Sequence, residues 1–229
     1  GAVITTTGTK SNISFLNSNG RIAAGIVGYS QGNVENCENH GAINGQGGTG
    51  GIVGWQMSAG KISGCTNYAD ITSKPFTNSD AYGCGGIIGW VRYLDNWSAY
   101  KNLPSDYKVI EVENCTNHGK VSTQAESDVS SAYGAGGIVG HWYACGYIHD
   151  CNNYAEQING CGMSASIVGG HQWIVDKKGL PSGEGYEKLL IKANLSTTPY
   201  ENITGSMTAP VCYKNDNRLV LENNDCPTE

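Results

Sequence analysis

Gly86-Ile87-Ile88-Gly89-Trp90 and Val112-Glu113-Asn114-Cys115-Thr116-Asn117-His118-Gly119-Lys120-Val121 are the two stretches that decide the fold, because both recur along the chain. The first, box A, returns as Gly25-Ile26-Val27-Gly28-Tyr29, Gly51-Ile52-Val53-Gly54-Trp55 and Gly137-Ile138-Val139-Gly140-His141, with a worn copy at Ser166-Ile167-Val168-Gly169-Gly170. The second, box B, has the form Val/Ile-x-x-Cys-x-Asn-His/Tyr-Gly/Ala-x-Val/Ile. It returns from Val34 through Cys37 to Ile43, from Ile62 through Cys65 to Ile71, and in shifted form from Ile148 through Cys151 to Ile158. An earlier copy runs Ile13, Leu16, Asn19, Gly20, Ile22, with Leu16 in the cysteine slot.

The boxes strictly interleave while the segments between them vary in length. That is how a repeat protein accepts insertions, as loops outside an intact stack. Each box is short, β-branched and bounded by Gly or Asn, which reads as strands between turns. A helix would need apolar residues at a 3.6-residue period over many more positions. One such unit cannot bury its own apolar face. Stacked units bury it by placing each residue over its equivalent, at about 4.8 Å per turn. The fold class is therefore all-β, a parallel β-helix or solenoid of about five turns, roughly 24 Å long at that spacing.

The ladders follow directly. Ile26, Ile52, Ile87, Ile138 and Ile167 form one core row, and Val34, Ile62, Val112 and Ile148 another. Asn39, Asn67, Asn117 and Asn153 form an amide ladder at a corner, each satisfying the next. The box A glycines imply positive φ or corners where a Cβ would clash. Residues 1–171 are assigned to the repeat domain. Residues 172–229, richer in Lys and Leu, are assigned to a non-repeating C-terminal cap, with Val211–Tyr213 and Arg218–Leu221 as a hairpin.

Gly-Gly-Ile-Val-Gly alternating with Asn-Cys-x-Asn-His-Gly resembles the GLUG-type repeats of bacterial, Bacteroidetes-like surface and adhesin proteins, related to repeats near the N-terminus of secreted immunoglobulin A proteases. The likeness covers about residues 13 to 171. It implies a parallel β-helix on an exported protein, at the cell surface or outside the cell. His-Glu-x-x-His does not occur in the chain, so the protease activity of the larger relatives is not carried over.

A formal charge of −6 argues against nucleic acid as a partner, since phosphate binding needs a basic stripe. No apolar run is long enough to span a bilayer. Of the nine cysteines, Cys37, Cys65, Cys115 and Cys151 share one slot of the repeat. Leu16 in that slot favours buried small apolar side chains over thiolate ligands. Cys212 and Cys226 flank the expected hairpin and could form a disulfide in an oxidising compartment, a pairing that the sequence leaves open. His40 and His118 have Tyr68 between them in the repeat, so their rings lie about 9.6 Å apart, too wide to share a metal. No metal, other cofactor or catalytic group is expected.

Recognition is expected where aromatic residues meet the insertions. The residues after box A, Trp55 and Trp90, with Trp142, stack as a stripe on an outer corner, and the longest insertion adds Trp97 and Tyr100. These five are the candidate ligand-binding residues, since Tyr and Trp offer a large rigid face with a polar edge. Two further insertions, 73–83 and 123–134, both end Ala-Tyr-Gly and place Tyr82 beside Tyr133. The expected function is a non-enzymatic, adhesin-like module that binds a neutral glycan or a host or bacterial surface protein. The alternatives are a polysaccharide-acting enzyme on the same scaffold and a structural spacer.

Overall fold

The computed structural model describes residues 4–5, 22–57, 59–74, 83–92, 110–124, 133–144, 146–171, 189–214 and 219–228. The chain winds as a parallel β-solenoid whose cross-section has five faces. Face one holds six strands, from Ile4–Thr5 to Ile203–Thr204, and face two holds six, from Ile22–Ala24 to Met207–Ala209. Face three runs from Val27–Ser30 to Cys212–Lys214, and face four from Val34–Glu35 to Leu219–Glu222. Face five holds five strands, from Glu38–Asn39 to Leu195–Ser196. Neighbouring strands on a face are parallel and in register, as Ile71 opposite Ile43 and Val121 shows. Among the described residues the only helical turn is a 3-10 turn at Tyr200–Asn202, and no helix is long and apolar enough to cross a membrane.

The repeat sets these positions. Ile52, Ile87, Ile138 and Ile167 are fully buried as one row, linked turn to turn by Ile52 N–H to Ile87 O (3.0 Å) and Ile87 N–H to Ile138 O (3.0 Å). Ile26 begins the row and is 46% exposed. The second row runs Val34, Ile62, Val112, Ile148 and continues through Ile191 to Leu221. The asparagine ladder forms as expected. Asn39 Nδ2 donates to Asn67 Oδ1 (2.7 Å), Asn67 to Asn117 (2.8 Å) and Asn117 to Asn153 (3.0 Å). Asn153 ends it on the hydroxyls of Ser196 and Thr198.

The C-terminal cap gives way to further solenoid. Leu189–Lys192 pairs in parallel with Gly146–His149, Leu219–Glu222 with Leu189–Lys192, and Cys212–Lys214 with Val168–His171. The expected hairpin is two strands on different faces, each parallel to the turn before it. Repeats persist here in disguise. Asn194 and Asn224 occupy the cysteine slot, and the Asn194 amide donates to Ile148 O (3.1 Å) and Asn224 Oδ1 (2.9 Å). Cys212 and Cys226 are free thiols, on face three and at the face-five corner, which answers the question of their pairing that the sequence leaves open.

The box A glycines have no positive φ among the described residues; their role is close approach. A Cβ on Gly89 would run into the backbone of Thr49 and one on Gly140 into that of Cys84. Faces two and three therefore touch backbone to backbone, and the interior divides into two apolar compartments. One is lined by the isoleucine, valine and cysteine rows. The other holds Ile43, Ile71, Val121 and Ile158 with Trp55, Trp90 and Tyr143. Left-handed backbone occurs instead at the residue before the cysteine slot, where Asn36, Gly64, Asn114, Asp150, Ala193 and Asn223 have φ of 50° to 61°. This corner turns each strand of face four into face five.

Candidate functional site

Trp55 and Trp90 stand in register but not on the surface, and Trp142 is not part of their stripe: His141 is the residue opposite Trp90, while Trp142 pairs with Val91 and its ring joins the other apolar compartment. Trp55 pairs with Trp90 on face three, their rings 4.4 Å apart, with Tyr29 5.6 Å beyond Trp55. Trp55 and Trp90 are each 3% exposed and Trp142 is fully buried. Trp55 Nε1 donates to Arg92 O, and Trp142 Nε1 to Ala144 O, both at 2.8 Å. These three rings complete the core, where burial of large aromatic surface outweighs the cost of placing one N–H, and they do not form the expected recognition surface. Trp97, Tyr100 and Tyr82 lie outside the described residues. Tyr133 is buried, with its hydroxyl bonded to Ser73 Oγ (2.6 Å) and to Gly47 O.

A different aromatic row faces solvent. His40, Tyr68, His118 and Tyr154 each follow a ladder asparagine, at the corner between faces five and one. The asparagine side chain turns inward, so the next residue turns outward, and parallel bonding repeats it on every turn. Tyr68 N–H donates to Asn39 O (2.9 Å), His118 N–H to Asn67 O (2.8 Å) and Tyr154 N–H to Asn117 O (2.7 Å). The rings stack face to face at centroid distances of 4.6, 5.2 and 5.2 Å, with interplanar angles of 13°, 3° and 24°. As the repeat requires, Tyr68 stands between the two imidazoles. The phenols remain 47% and 38% exposed and the His40 side chain 60%. Thr197 takes the next place, its N–H on Asn153 O.

Stacking decides what this row can offer. Each inner ring spends both faces on its neighbours, so solvent meets ring edges: imidazole nitrogens, phenol hydroxyls and positive C–H rims. Polar side chains line both flanks. Thr66, Thr116 and Asn152 stand in register on face five, and Glu38 holds His40 Nε2 at 2.9 Å. On the other side Lys120 pairs with Glu156 (3.0 Å), which holds its ammonium above the usual lysine range, and Asp70 accepts from the Lys120 N–H. The result is a straight, rigid row of hydrogen-bonding groups at the strand spacing.

No protein-family model, curated protein or solved structure matches this chain. The functional reading therefore rests on its own geometry. The box B aromatic slot was legible in the sequence as alternating His and Tyr; that it faces solvent while the box A aromatics do not was not legible there.

A second polar group lies on face four. His149 Nε2 is 3.0 Å from Glu111 and 3.6 Å from Glu113, and its Nδ1 is 2.8 Å from Asp150. Glu111, Glu113 and His149 are the residues whose donor atoms converge as a metal's ligands would, among those described. Lys61 reaches the same carboxylates at 3.6 and 2.6 Å, and its hydrogen bond to Glu113 raises its pKa.

Proposed function

We propose that this chain is an exported, surface-displayed binding module that recognises a neutral glycan along the His40–Tyr68–His118–Tyr154 row. The observation that carries the reading is the exposure of four stacked rings in register. A rigid row loses little conformational entropy when a ligand is laid along it. Because its edges rather than its faces are free, it suits a partner that presents repeated hydroxyls. The flanking Thr66, Thr116 and Asn152 extend the same hydrogen-bonding character. The chain's net charge of −6 disfavours a polyanion. The GLUG-type resemblance of the boxes guides the assignment to a bacterial cell surface. The role is binding without turnover.

The test is a glycan array with product formation monitored, comparing the unaltered chain with Tyr68→Ala/Tyr154→Ala and with Trp97→Ala/Tyr100→Ala. Thermal melting confirms that each is folded. Loss of at least about tenfold in affinity (near 1.4 kcal/mol) in the first variant alone supports the row. Loss only in the second moves the site to the insertion, glycan cleavage makes the chain an enzyme, and retention of no glycan at all leaves a protein partner or a spacer role.

A further inference from the structure

The geometry points to a binding site for a divalent transition cation of the zinc class on face four, formed by His149 Nε2 with one oxygen each from Glu111 and Glu113. Glu111 and Glu113 are two apart on the strand Ile110–Glu113, so both project from the outer face. His149 lies on the next strand, directly paired with Glu113. The three donor atoms lie within 4.8 Å of one another, with the imidazole nitrogen 3.0 and 3.6 Å from the two carboxylates. A tetrahedral ion with bonds near 2.1 Å holds its ligands about 3.4 Å apart, so these separations bracket what zinc requires.

The far side of the ring is held as well. Asp150 Oδ2 is 2.8 Å from His149 Nδ1. A carboxylate there accepts a hydrogen bond from Nδ1–H and aims Nε2 at Glu111 and Glu113, where a bound metal would replace the proton now shared with Glu111. This is the supporting contact that metal-binding histidines use. Asp150 is held in place by its own backbone, since it occupies the left-handed corner with φ 53°. Side-chain exposure of 26% for His149, 19% for Glu113 and 36% for Glu111 leaves the ion reachable while reducing competition from water.

A cation already visits this place. Lys61, one turn away, sets its ammonium 2.6 Å from Glu113 and 3.6 Å from Glu111. The cluster thus attracts positive charge, and Lys61 is the group that a metal must move aside. Its long stem allows that without disturbing the backbone. The nitrogen ligand favours zinc over calcium or magnesium, which prefer oxygen alone. The bound ion would join adjacent turns across the face and keep an open position for an outside oxygen ligand.

The experiment is calorimetric titration of the full chain with Zn2+ alone, with Co2+ absorption as a second readout of coordination. The expected results are one-to-one zinc binding by the unaltered chain, its loss in His149→Gln, and weakening by about tenfold or more in Asp150→Asn. Lys61→Met tightens binding several-fold, and His40→Gln/His118→Gln leaves it unchanged. The altered side chains all point outward, and melting curves verify their folds. No one-to-one binding by the unaltered chain, or equal binding by His149→Gln, overturns the site.

Discussion

The β-carbon that Gly51 lacks would sit 2.6 Å from the carboxamide carbon of Asn67. The same glycine–asparagine contact recurs between Gly25 and Asn39, Gly86 and Asn117, and Gly137 and Asn153. The first glycine of box A and the asparagine of box B are therefore one structural unit, although about 15 residues separate the first pair in sequence. Gly51→Ala forces the amide out of its ladder and also meets the Gly86 carbonyl. A loss of about 3 kcal/mol is expected, at the upper end for overpacking. Gly28, where an added Cβ meets nothing within 4 Å, is the control, and Gly28→Ala should stay within about 0.5 kcal/mol of the parent. Urea unfolding of both variants measures the difference.

Asn117 sits at the centre of the ladder and is fully buried. Its amide donates to Gly119 O (2.9 Å) and Asn153 Oδ1 (3.0 Å), and its oxygen accepts from Asn67 Nδ2 (2.8 Å) and Gly119 N–H (3.2 Å). Asn117→Ala strands polar groups on both neighbouring turns, at about 1–3 kcal/mol each. The expected total is about 3 kcal/mol or more, with a drop in melting temperature that exceeds that of Asn39→Ala at the open end of the row. Equal losses at the two positions would show that the ladder is not cooperative.

The cysteine row behaves as packing material. Cys65, Cys115 and Cys151 are buried, and Cys37 is partly so. The Cys65 thiol is raised far above its ordinary pKa, first by its hydrogen bond with Cys115 and then by burial. A thiolate is the reactive form, so these thiols should resist alkylation in the native state. Mass spectrometry after a thiol reagent should find Cys65 and Cys115 unmodified until denaturant is added. Cys65→Val should cost less than about 1.5 kcal/mol, while Cys65→Asp should prevent folding by burying an unpaired charge.

Ala193 occupies the left-handed corner that glycine, asparagine and aspartate fill in the other turns, with φ 53°. A Cβ in that conformation costs roughly 1–2 kcal/mol. Ala193 is exposed and its N–H donates to Glu222 O (3.0 Å), so a change of side chain there breaks no packing. Ala193→Gly, and to a lesser degree Ala193→Asn, should stabilise the protein by about 1 kcal/mol, read as a higher urea midpoint. A lower midpoint for both would show that the corner is not strained.

The solenoid itself was legible in the residues, since a row such as Ile52, Ile87, Ile138 and Ile167 has meaning only if each stacks on the next. So was the order of rings His40, Tyr68, His118 and Tyr154, because parallel strands in register must repeat one slot per turn. The last turns were hidden because Asn194 and Asn224 replace cysteine and keep the corner by amide hydrogen bonds, a physical equivalence that spelling conceals. The two aromatic rows could not be told apart before folding. Both follow short β-branched or Asn-bounded boxes, but the pinch where Gly89 meets the Thr49 backbone creates a second interior, and that interior claims Trp55 and Trp90. Glu111, Glu113 and His149 likewise gain a relationship only through strand register, which brings the imidazole Nε2 within 3.0 to 3.6 Å of the two carboxylates across a separation of more than thirty residues. Local sequence determines that a segment stacks and on which slot. Which side of the backbone sees water is decided by how the faces close around the core, and that depends on every turn at once.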